Sequence, residues 1–166
     1  MFKTRDFYFK KVYDLKGKKI GIIEDIYIDF YLAKIIGFKV SSSVLFSKNN
    51  YIDMEEIIDI GEDVIINSIR RGNGLAFKEL KYMDIIDRAG NIKGVLEDII
   101  IDDRDYSIKA IVTSSGLIDK MIKGKQIILI NKCILGEKYI LYIGNEGISF
   151  KSMPHSMENY NAIKKA

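Results

Sequence analysis

The sequence repeats itself at a fixed spacing, and this duplication restricts the possible folds more than any other feature. Residues 14–42 align with residues 87–115 without a gap, and eleven of these 29 positions are identical. The identical pairs are Asp14/Asp87, Gly17/Gly90, Gly21/Gly94, Glu24/Glu97, Asp25/Asp98, Ile26/Ile99, Ile28/Ile101, Asp29/Asp102, Ile35/Ile108, Ser41/Ser114 and Ser42/Ser115. Chance would give about two identities at this composition. One folding unit therefore occurs twice in the chain.

The alignment resumes later in each unit at an offset of 75. Gly61 and Ile65 then match Gly136 and Ile140. This shift predicts two extra residues in the second unit, in the loop at 116–124. Residues 70–74 are rich in turn-forming types and read as a short joint between the units. We predict a first domain at 1–73, a second domain at 74–150 and a C-terminal tail at 151–166.

Each unit has the pattern of a strand-rich fold. Gly17 and Gly90 lie in tight-turn sequences, and residues 20–29 and 93–102 follow as strands. Apolar and polar side chains alternate at the far end of residues 20–29, as in a strand with one buried face. About five or six short strands per unit predict an all-β fold of two small closed barrels, because closure removes exposed sheet edges. A helical turn is expected near residues 54–57.

The order of these features resembles the PRC-barrel family. The resemblance rests on a glycine turn, a strand with a central aspartate, a hairpin and a closing strand. In the first unit these are Gly17, Gly21, Asp25, Ile28, Asp29, Gly37, Phe38 and residues 60–64; in the second they are Gly90, Gly94, Asp98, Ile101, Asp102, Ala110, Ile111 and residues 135–139. The resemblance covers nearly the whole chain and implies two tandem PRC-like barrels.

Positions shared by both units are best explained by the fold that the units share. We therefore assign structural turn positions to Gly17, Gly21, Asp25, Asp29, Gly61, Gly90, Gly94, Asp98, Asp102 and Gly136. A specific binding site is expected where the units differ. The candidates are the acidic turn with Asp103, Arg104 and Asp105, the 116–124 loop, and the tail, where Met157, Tyr160 and Ile163 form a narrow apolar stripe if the segment is helical.

Composition and charge exclude several classes of protein. The single cysteine, Cys133, allows no intrachain disulfide and favours a reducing cytoplasm. The N-terminus lacks the apolar core of a signal peptide, and no apolar run reaches the length of a membrane span. The net charge of +3 arises at the ends, since residues 1–11 carry +3 and residues 151–166 carry +2. A nucleic-acid-binding domain usually concentrates its positive charge on the folded surface.

Several residue groups suggest chemistry but fit structural roles better. Glu24 and Asp25 recur as a carboxylate pair, yet adjacent strand residues point to opposite faces and cannot converge on a substrate. We expect Asp25 and Asp98 to accept hydrogen bonds from turn amides of their own hairpins. Cys133 aligns with Ile58 and is expected to be buried. His155 lies in the tail, and these two residues provide too few ligands for zinc.

Two further groups leave alternatives open. Asp98, Asp102, Asp103 and Asp105 could hold Ca²⁺ or Mg²⁺, but they lack EF-hand spacing, so a solvated turn is favoured. The stretch from Phe7 to Tyr13 mixes aromatic residues with lysines and could stack on RNA bases. In the favoured interpretation Phe7 and Phe9 instead alternate inward as a first strand, while the lysines and tyrosines face water.

The resemblance also bears on function, because members of the family act through protein contacts and offer no catalytic motif to carry over. We predict a cytoplasmic protein-interaction or adaptor module that is not an enzyme, has no cofactor or metal and does not insert into membranes. Its partner is another protein, or a second copy of the chain in a homodimer. The alternatives are association with RNA or the ribosome, implied by the ribosome-maturation members of the family, and a barrel that binds a small ligand or a metal.

Overall fold

The computed structural model describes residues 1–42, 49–114, 125–144 and 148–150. The 116–124 loop and the tail, including Met157 and Tyr160, lie outside these residues, so their predicted roles in binding stay predictions. The strands that flank the loop correct the prediction of two extra residues to three, because Ile128 pairs with Ile111 seventeen residues earlier, whereas Ile52 pairs with Phe38 fourteen residues earlier. Within the described residues the regular secondary structure is almost entirely strand, with one four-residue α-helix and three 3-10 turns at Thr4–Asp6, Met54–Glu56 and Ile130–Lys132. The prediction of a tandem all-β protein is confirmed.

The first copy forms one sheet around its core. Its strands are β1 (Lys11–Asp14), β2 (Lys19–Asp29), β3 (Lys34–Ser42), β4 (Tyr51–Asp53), β5 (Ile57–Ile60) and β6 (Val64–Ile66). They lie in the order β4-β3-β2-β1-β6-β5, and every pair is antiparallel except β1 with β6. The 3-10 turn Met54–Glu56 links β4 to β5, which are the two ends of the sheet.

The second copy repeats this arrangement. It begins with β7 (Leu75–Ala76) and α1 (Phe77–Leu80), followed by β8 (Asp84–Ile86), β9 (Ile92–Ile101), β10 (Ile108–Ser114), β11 (Lys125–Leu129), β12 (Cys133–Leu135), β13 (Tyr139–Tyr142) and β14 (Ile148–Phe150). The order β12-β13-β8-β9-β10-β11 matches the first sheet strand for strand, and β14 extends it beside β11. No described ladder joins β4 to β5 or β11 to β12, so closure by hydrogen bonding is incomplete in both copies.

A bulge interrupts the long strand of each copy at the same place. The pairing of β2 with β3 shifts between Ile23 and Asp25, and the pairing of β9 with β10 shifts between Leu96 and Asp98. The extra residues are therefore Glu24 and Glu97. A bulge bends a strand and increases its twist, which helps a short sheet to wrap around a core.

The two copies exchange their first segments, which we call the arms (residues 1–7 and 74–80). In the second arm, β7 pairs with β2 of the first copy, where Leu75 lies opposite Ile28. In the first arm, Phe2 exchanges backbone hydrogen bonds of 2.8 and 3.0 Å with Ile101 of β9. The two contacts are equivalent under the offset of 73. Each arm thus pairs with the far end of the other copy's long interior strand, beyond the part that β1 or β8 covers.

A second reciprocal contact joins the copies at the start of β3 and β10. The Ile35 amide donates to the Tyr106 carbonyl at 3.1 Å, and the Ile108 amide donates to the Ala33 carbonyl at 2.7 Å. These bonds are again related by the offset of 73, so a pseudo-two-fold axis passes between Lys34 and Ser107. Side chains of both copies form one continuous apolar core. The copies are therefore one packed unit.

The joint at 70–74 packs against the first copy. Arg70 pairs with Tyr51 through the backbone, and its guanidinium lies 5.0 Å from the Tyr51 ring centre. A Cβ added to Gly72 would come within 2.7 Å of that ring, and one added to Gly74 would come within 3.2 Å of Tyr27. Glycine is needed here because the backbone passes directly over two tyrosines.

The structure corrects the alignment of the closing strands. Val64 lies opposite Val12, whereas Ile140 lies opposite Ile85, so Ile140 corresponds to Val64 rather than to Ile65. Four residues therefore separate the paired Leu135 and Ile140, one more than the three between the paired Ile60 and Val64. Sequence identity missed this because isoleucine occurs at both neighbouring positions.

Candidate functional site

The shared aspartates and glycines mostly form turns, as their recurrence in both copies suggests. Asp14 accepts hydrogen bonds from the amides of Lys16 and Lys18, and Asp87 accepts from those of Ala89 and Asn91, all at 2.9 Å. Gly17 and Gly90 lie three residues after these aspartates, with φ of 77° and 83°. The left-handed conformation favours glycine at both places.

The other shared glycines are placed by close contacts or by turns. A Cβ on Gly21 would lie 2.1 Å from the Ser41 carbonyl oxygen, so the two strands could not keep their spacing. Its counterpart Gly94 has a φ of 143°. Gly61 and Gly136 each donate their amide to a carbonyl across the turn that precedes the closing strand, at 3.0 and 2.9 Å.

Asp25 and Asp98 bind the arm of the opposite copy, which corrects the prediction that they hold their own hairpins. Asp25 accepts from the Lys78 amide at 3.2 Å, and Asp98 accepts from the amide and hydroxyl of Thr4 at 3.1 and 2.8 Å. Each carboxylate also accepts from the amide that follows it. The prediction was wrong because an exchange between distant segments leaves no local sequence signal.

The hairpin turns are held by Asp29 and Asp102. Asp29 accepts from the amides of Tyr31 and Leu32, and Asp102 accepts from the amide of Arg104. Such hydrogen bonds to amides two or three residues ahead are typical of turn aspartates.

The acidic turn of the second copy uses its carboxylates within the protein. Asp105 accepts from the amide and hydroxyl of Ser107, and these bonds lower the pKa of its carboxyl. Asp103 accepts from the Met1 α-amino group at 2.8 Å, which also lowers its pKa. The Lys109 ammonium lies 3.5 Å from a carboxylate oxygen of Asp102. In the described part of the chain, His, Cys, Asp and Glu form no cluster of three with metal-binding geometry.

A cleft opens where the acidic turn faces the first copy, and we call it the junction cleft. Its volume is about 740 Å³. Ile35, Ile36 and Tyr106 supply apolar surface, while Arg104 and Asp105 from the second copy face Asp53, Met54 and Glu55 of the first. Two of the predicted interaction residues, Arg104 and Asp105, thus line a surface that both copies build. Apolar surface beside charged groups is the usual composition of a protein-binding surface.

The basic-aromatic stretch at the N-terminus does not form the predicted first strand. Phe7 is buried, but Phe9 has a φ of 66° and is 78% exposed, so the inward orientation expected for Phe9 is wrong. The chain turns at Phe9, before β1 begins at Lys11, and this turn directs the Phe9 side chain outward. The Tyr8 hydroxyl donates to Asp25 at 3.2 Å, and burial together with that carboxylate raises the pKa of Tyr8. Tyr82, the counterpart of Phe9, has a φ of 71° and is 66% exposed.

Cys133 is buried beside the core, and burial raises the pKa of its thiol to about 12. It lies opposite Tyr142 as Ile57 lies opposite Ile66, so its counterpart is Ile57 and not Ile58. A thiol that stays protonated is a poor nucleophile and a poor metal ligand. His155 lies outside the described residues.

Sequence reasoning missed a difference between the outer faces of the two sheets. In the second copy, strand pairing places Ile134, Leu141, Ile86 and Ile92 in a row across β12, β13, β8 and β9. The corresponding row in the first copy is Asp59, Ile65, Tyr13 and Lys19. A comparison of the copies in structural register would have revealed it, but the one-residue error in the closing strand hid the correspondence.

Comparison with known proteins agrees with the architecture. The family model described as the PRC-barrel domain matches residues 1–73 and again residues 72–142. No curated protein gives a significant match. Every helix in the described ranges is too short to span a membrane.

Proposed function

The chain belongs to the PRC-barrel family, with two copies of the domain in tandem, and on this premise we propose that it is a cytoplasmic adaptor that binds another protein. The junction cleft is the observation that supports this function best. Its lining comes from both copies, so the site exists only because the copies are packed together. The proposal includes no catalytic step and no cofactor.

The chemistry of the junction cleft suits a peptide segment or a loop with charges of both signs. Arg104 can bind a carboxylate, and Glu55 can bind a lysine or arginine, whereas Asp53 already pairs with Arg70 at 2.9 Å. Ile36 and Tyr106 are half-buried and can take an apolar side chain between these charges. Arg104 of the second copy is a residue type that is enriched at the energetic centres of interfaces.

Charge reversal in the cleft tests the proposal. Affinity capture from the native host, with the wild-type chain as bait, is expected to recover a partner that the Arg104→Glu variant loses by at least about tenfold, since a hydrogen bond to a charged group contributes about 1.5–3 kcal/mol. Arg88→Glu is the matched control, because Arg88 is also exposed on the second copy but does not line the cleft. A partner retained equally by Arg104→Glu, or no partner in any capture, would contradict the adaptor function.

A second candidate function is association with RNA, and the paired exposed aromatics favour it. Phe9 precedes Lys10 and Lys11, and the Lys81 ammonium lies 5.2 Å from the Tyr82 ring centre. Aromatic rings beside cations stack on single-stranded bases, which contributes about 1–3 kcal/mol per base. If this function is correct, labelled single-stranded RNA binds with a strong salt dependence, and Phe9→Ala with Tyr82→Ala weakens binding. Binding that is unchanged in the double variant would exclude these rings as the site.

A further inference from the structure

The outer face of the second sheet is a compact apolar surface. We call it the second-copy face and define it as Ile86, Ile92, Ile134, Tyr139, Leu141 and Ile143. Ile134, Leu141, Ile86 and Ile92 form the row across β12, β13, β8 and β9, and directly opposite side chains point to the same side of a sheet. Tyr139 and Ile143 lie two residues before and after Leu141, on the same side. Ile92 is 68% exposed, Tyr139 45% and Ile134 44%.

The first copy provides an internal control for this surface. Strand pairing and turn bonds place Tyr13, Lys19, Asp59, Asp63, Ile65 and Asn67 at the equivalent positions. Four of these six residues are charged or amide-bearing, whereas all six in the second copy are apolar or aromatic. The common fold does not require a wholly apolar outer face, since the first copy folds with four of these six positions polar and with Ile65 among the exposed apolar residues. The apolar composition of the second-copy face therefore indicates a surface that another segment covers.

The size of the face limits what that occupant can be. Its six side chains expose roughly 400 Å² of apolar surface, which is the size of the largest apolar patch on a typical monomer, and such a patch often has a function. A standard protein interface buries about 800 Å² on each partner, so the face alone is too small for a stable dimer. One amphipathic helix of two to three turns matches it in area.

We propose that the occupant is the chain's own C-terminal tail, with residues 156–165 docked as a helix through Met157, Tyr160 and Ile163. These side chains lie at i, i+3 and i+6, so they form one stripe about 9 Å long on a helix. The four-strand row is about 14 Å wide, which accommodates that stripe. Lys164 and Lys165 follow the stripe, and Asp84 is exposed at the border of the face.

The path of the chain permits this docking. Phe150 pairs with Lys125, which pairs with Ser114, which pairs with Val95 on β9. Phe150 therefore lies three strand spacings, about 15 Å, from the strand that carries Ile92. Seven residues connect Phe150 to Met157 and span up to about 23 Å when extended. Covalent attachment holds the tail at a high effective concentration, so a small contact area suffices.

Hydrogen exchange of the full-length chain tests the docking. In the wild type, amides of residues 157–163 are expected to exchange at least about tenfold more slowly than those of the free peptide. Leu141→Asp should abolish that protection. Ile65→Asp places the same charge at the equivalent position of the first copy and should leave it intact. Tail amides that exchange at the free-peptide rate, or protection that survives Leu141→Asp, would overturn the proposal.

A second variant, placed in the tail, distinguishes loss of docking from loss of folding in Leu141→Asp. Tyr160→Asp lies in the tail and is expected to speed exchange of residues 139–143 while leaving the melting temperature of the sheets unchanged. The same measurement is repeated at a protein concentration where the chain is monomeric. Protection that disappears on dilution would assign the face to a second copy, and protection that appears only with an added protein would assign it to that protein. Either result would overturn intramolecular docking.

Discussion

Asp25 and Asp98 illustrate how a carboxylate that resembles a catalytic group can serve the fold. Asp25 is 3% exposed and satisfies three donors: the amides of Ile26 and Lys78 and the Tyr8 hydroxyl. Its neighbour Glu24 points to solvent and binds Lys39 at 3.1 Å. The two carboxylates of the pair therefore lie in different environments and do not converge.

Removing either aspartate should destabilise the whole chain. Asp25→Ala leaves the Lys78 amide and the Tyr8 hydroxyl without their acceptor, and Asp98→Ala does the same to Thr4. A buried polar group left unsatisfied costs about 1–3 kcal/mol, so we expect a loss of about 2 kcal/mol in each variant. Urea unfolding measures this loss, with the exposed Glu62→Ala as the control. Losses below about 0.5 kcal/mol in both variants would refute the role of the aspartates in holding the arms.

Asp87 should titrate at unusually low pH because of one neighbouring side chain. Hydrogen bonds from the Asn91 side chain and backbone are the main causes that hold the pKa of Asp87 at about 2, below its ordinary value of 3.8. Because the folded-state pKa is lowered, Asp87 stabilises the fold above about pH 4, and this contribution is lost as the pH falls toward 2.

The substitution Asn91→Ala is expected to raise the pKa of Asp87 toward 3.8, as measured by carboxyl carbon NMR during an acid titration. Stability should then depend less on pH between 4 and 2. Asn73→Ala is the control, since Asn73 does not contact Asp87. An unchanged Asp87 titration in Asn91→Ala would show that the side-chain hydrogen bond is not the cause.

Cys133 should report unfolding through its reactivity. With a pKa of about 12, the folded thiol is almost entirely protonated at pH 8. Only the thiolate reacts with disulfide reagents, so labelling of the folded chain should be at least about a hundredfold slower than labelling in urea. Absorbance of the released thiolate gives both rates. Equal rates would mean that Cys133 is accessible in the folded chain.

At the scale of elements, the turns could be read from the sequence and the strand registers only partly. Gly17, Gly90, Asp14 and Asp87 are local signals, because a turn is determined by a few consecutive residues. The register of β13 depends on a turn one residue longer than its counterpart, and several isoleucines fit either position. The arm exchange and the junction cleft depend on contacts between distant residues, so no local pattern predicted them.

Alanine substitutions at three glycines of the first copy distinguish the free-energy cost of a left-handed backbone conformation from the cost of a steric clash. At Gly17 a Cβ meets nothing within 4 Å, so Gly17→Ala costs only the left-handed conformation, about 1 kcal/mol. At Gly21 the Cβ would collide with the Ser41 carbonyl, and we expect a loss of about 3 kcal/mol or more. Gly61→Ala is the control, because its nearest contact is 3.4 Å away. Urea unfolding should give this order, and an equal loss at Gly17 and Gly21 would contradict it.

At the scale of the whole molecule, the copies depend on each other. The first copy needs the second arm, whose Phe77 and Leu80 are buried in the common core. The second copy needs the first arm, through Phe2 and Thr4. Unfolding should therefore be one cooperative transition, with no separate melting of the copies.

A fragment of residues 1–73 tests this dependence. It keeps its own arm but lacks the second arm that covers β2, so a monomer should be unfolded. If the fragment folds, it should do so as a dimer in which each chain gives its arm to the other. Sedimentation equilibrium and circular dichroism distinguish these states. A stable folded monomer would contradict the need for exchange.

The reciprocal exchange of arms is the arrangement expected if the chain arose by fusion of two copies of one gene. A gene for one unit would encode a two-fold homodimer in which each subunit lends its first residues to its partner. Head-to-tail fusion of two such genes turns that intermolecular exchange into contacts within one polypeptide, with the offset of 73 as its trace. Fusion also releases the subunits from symmetry. Asp59, Tyr13 and Lys19 could then remain polar on one face while Ile134, Ile86 and Ile92 made the other apolar.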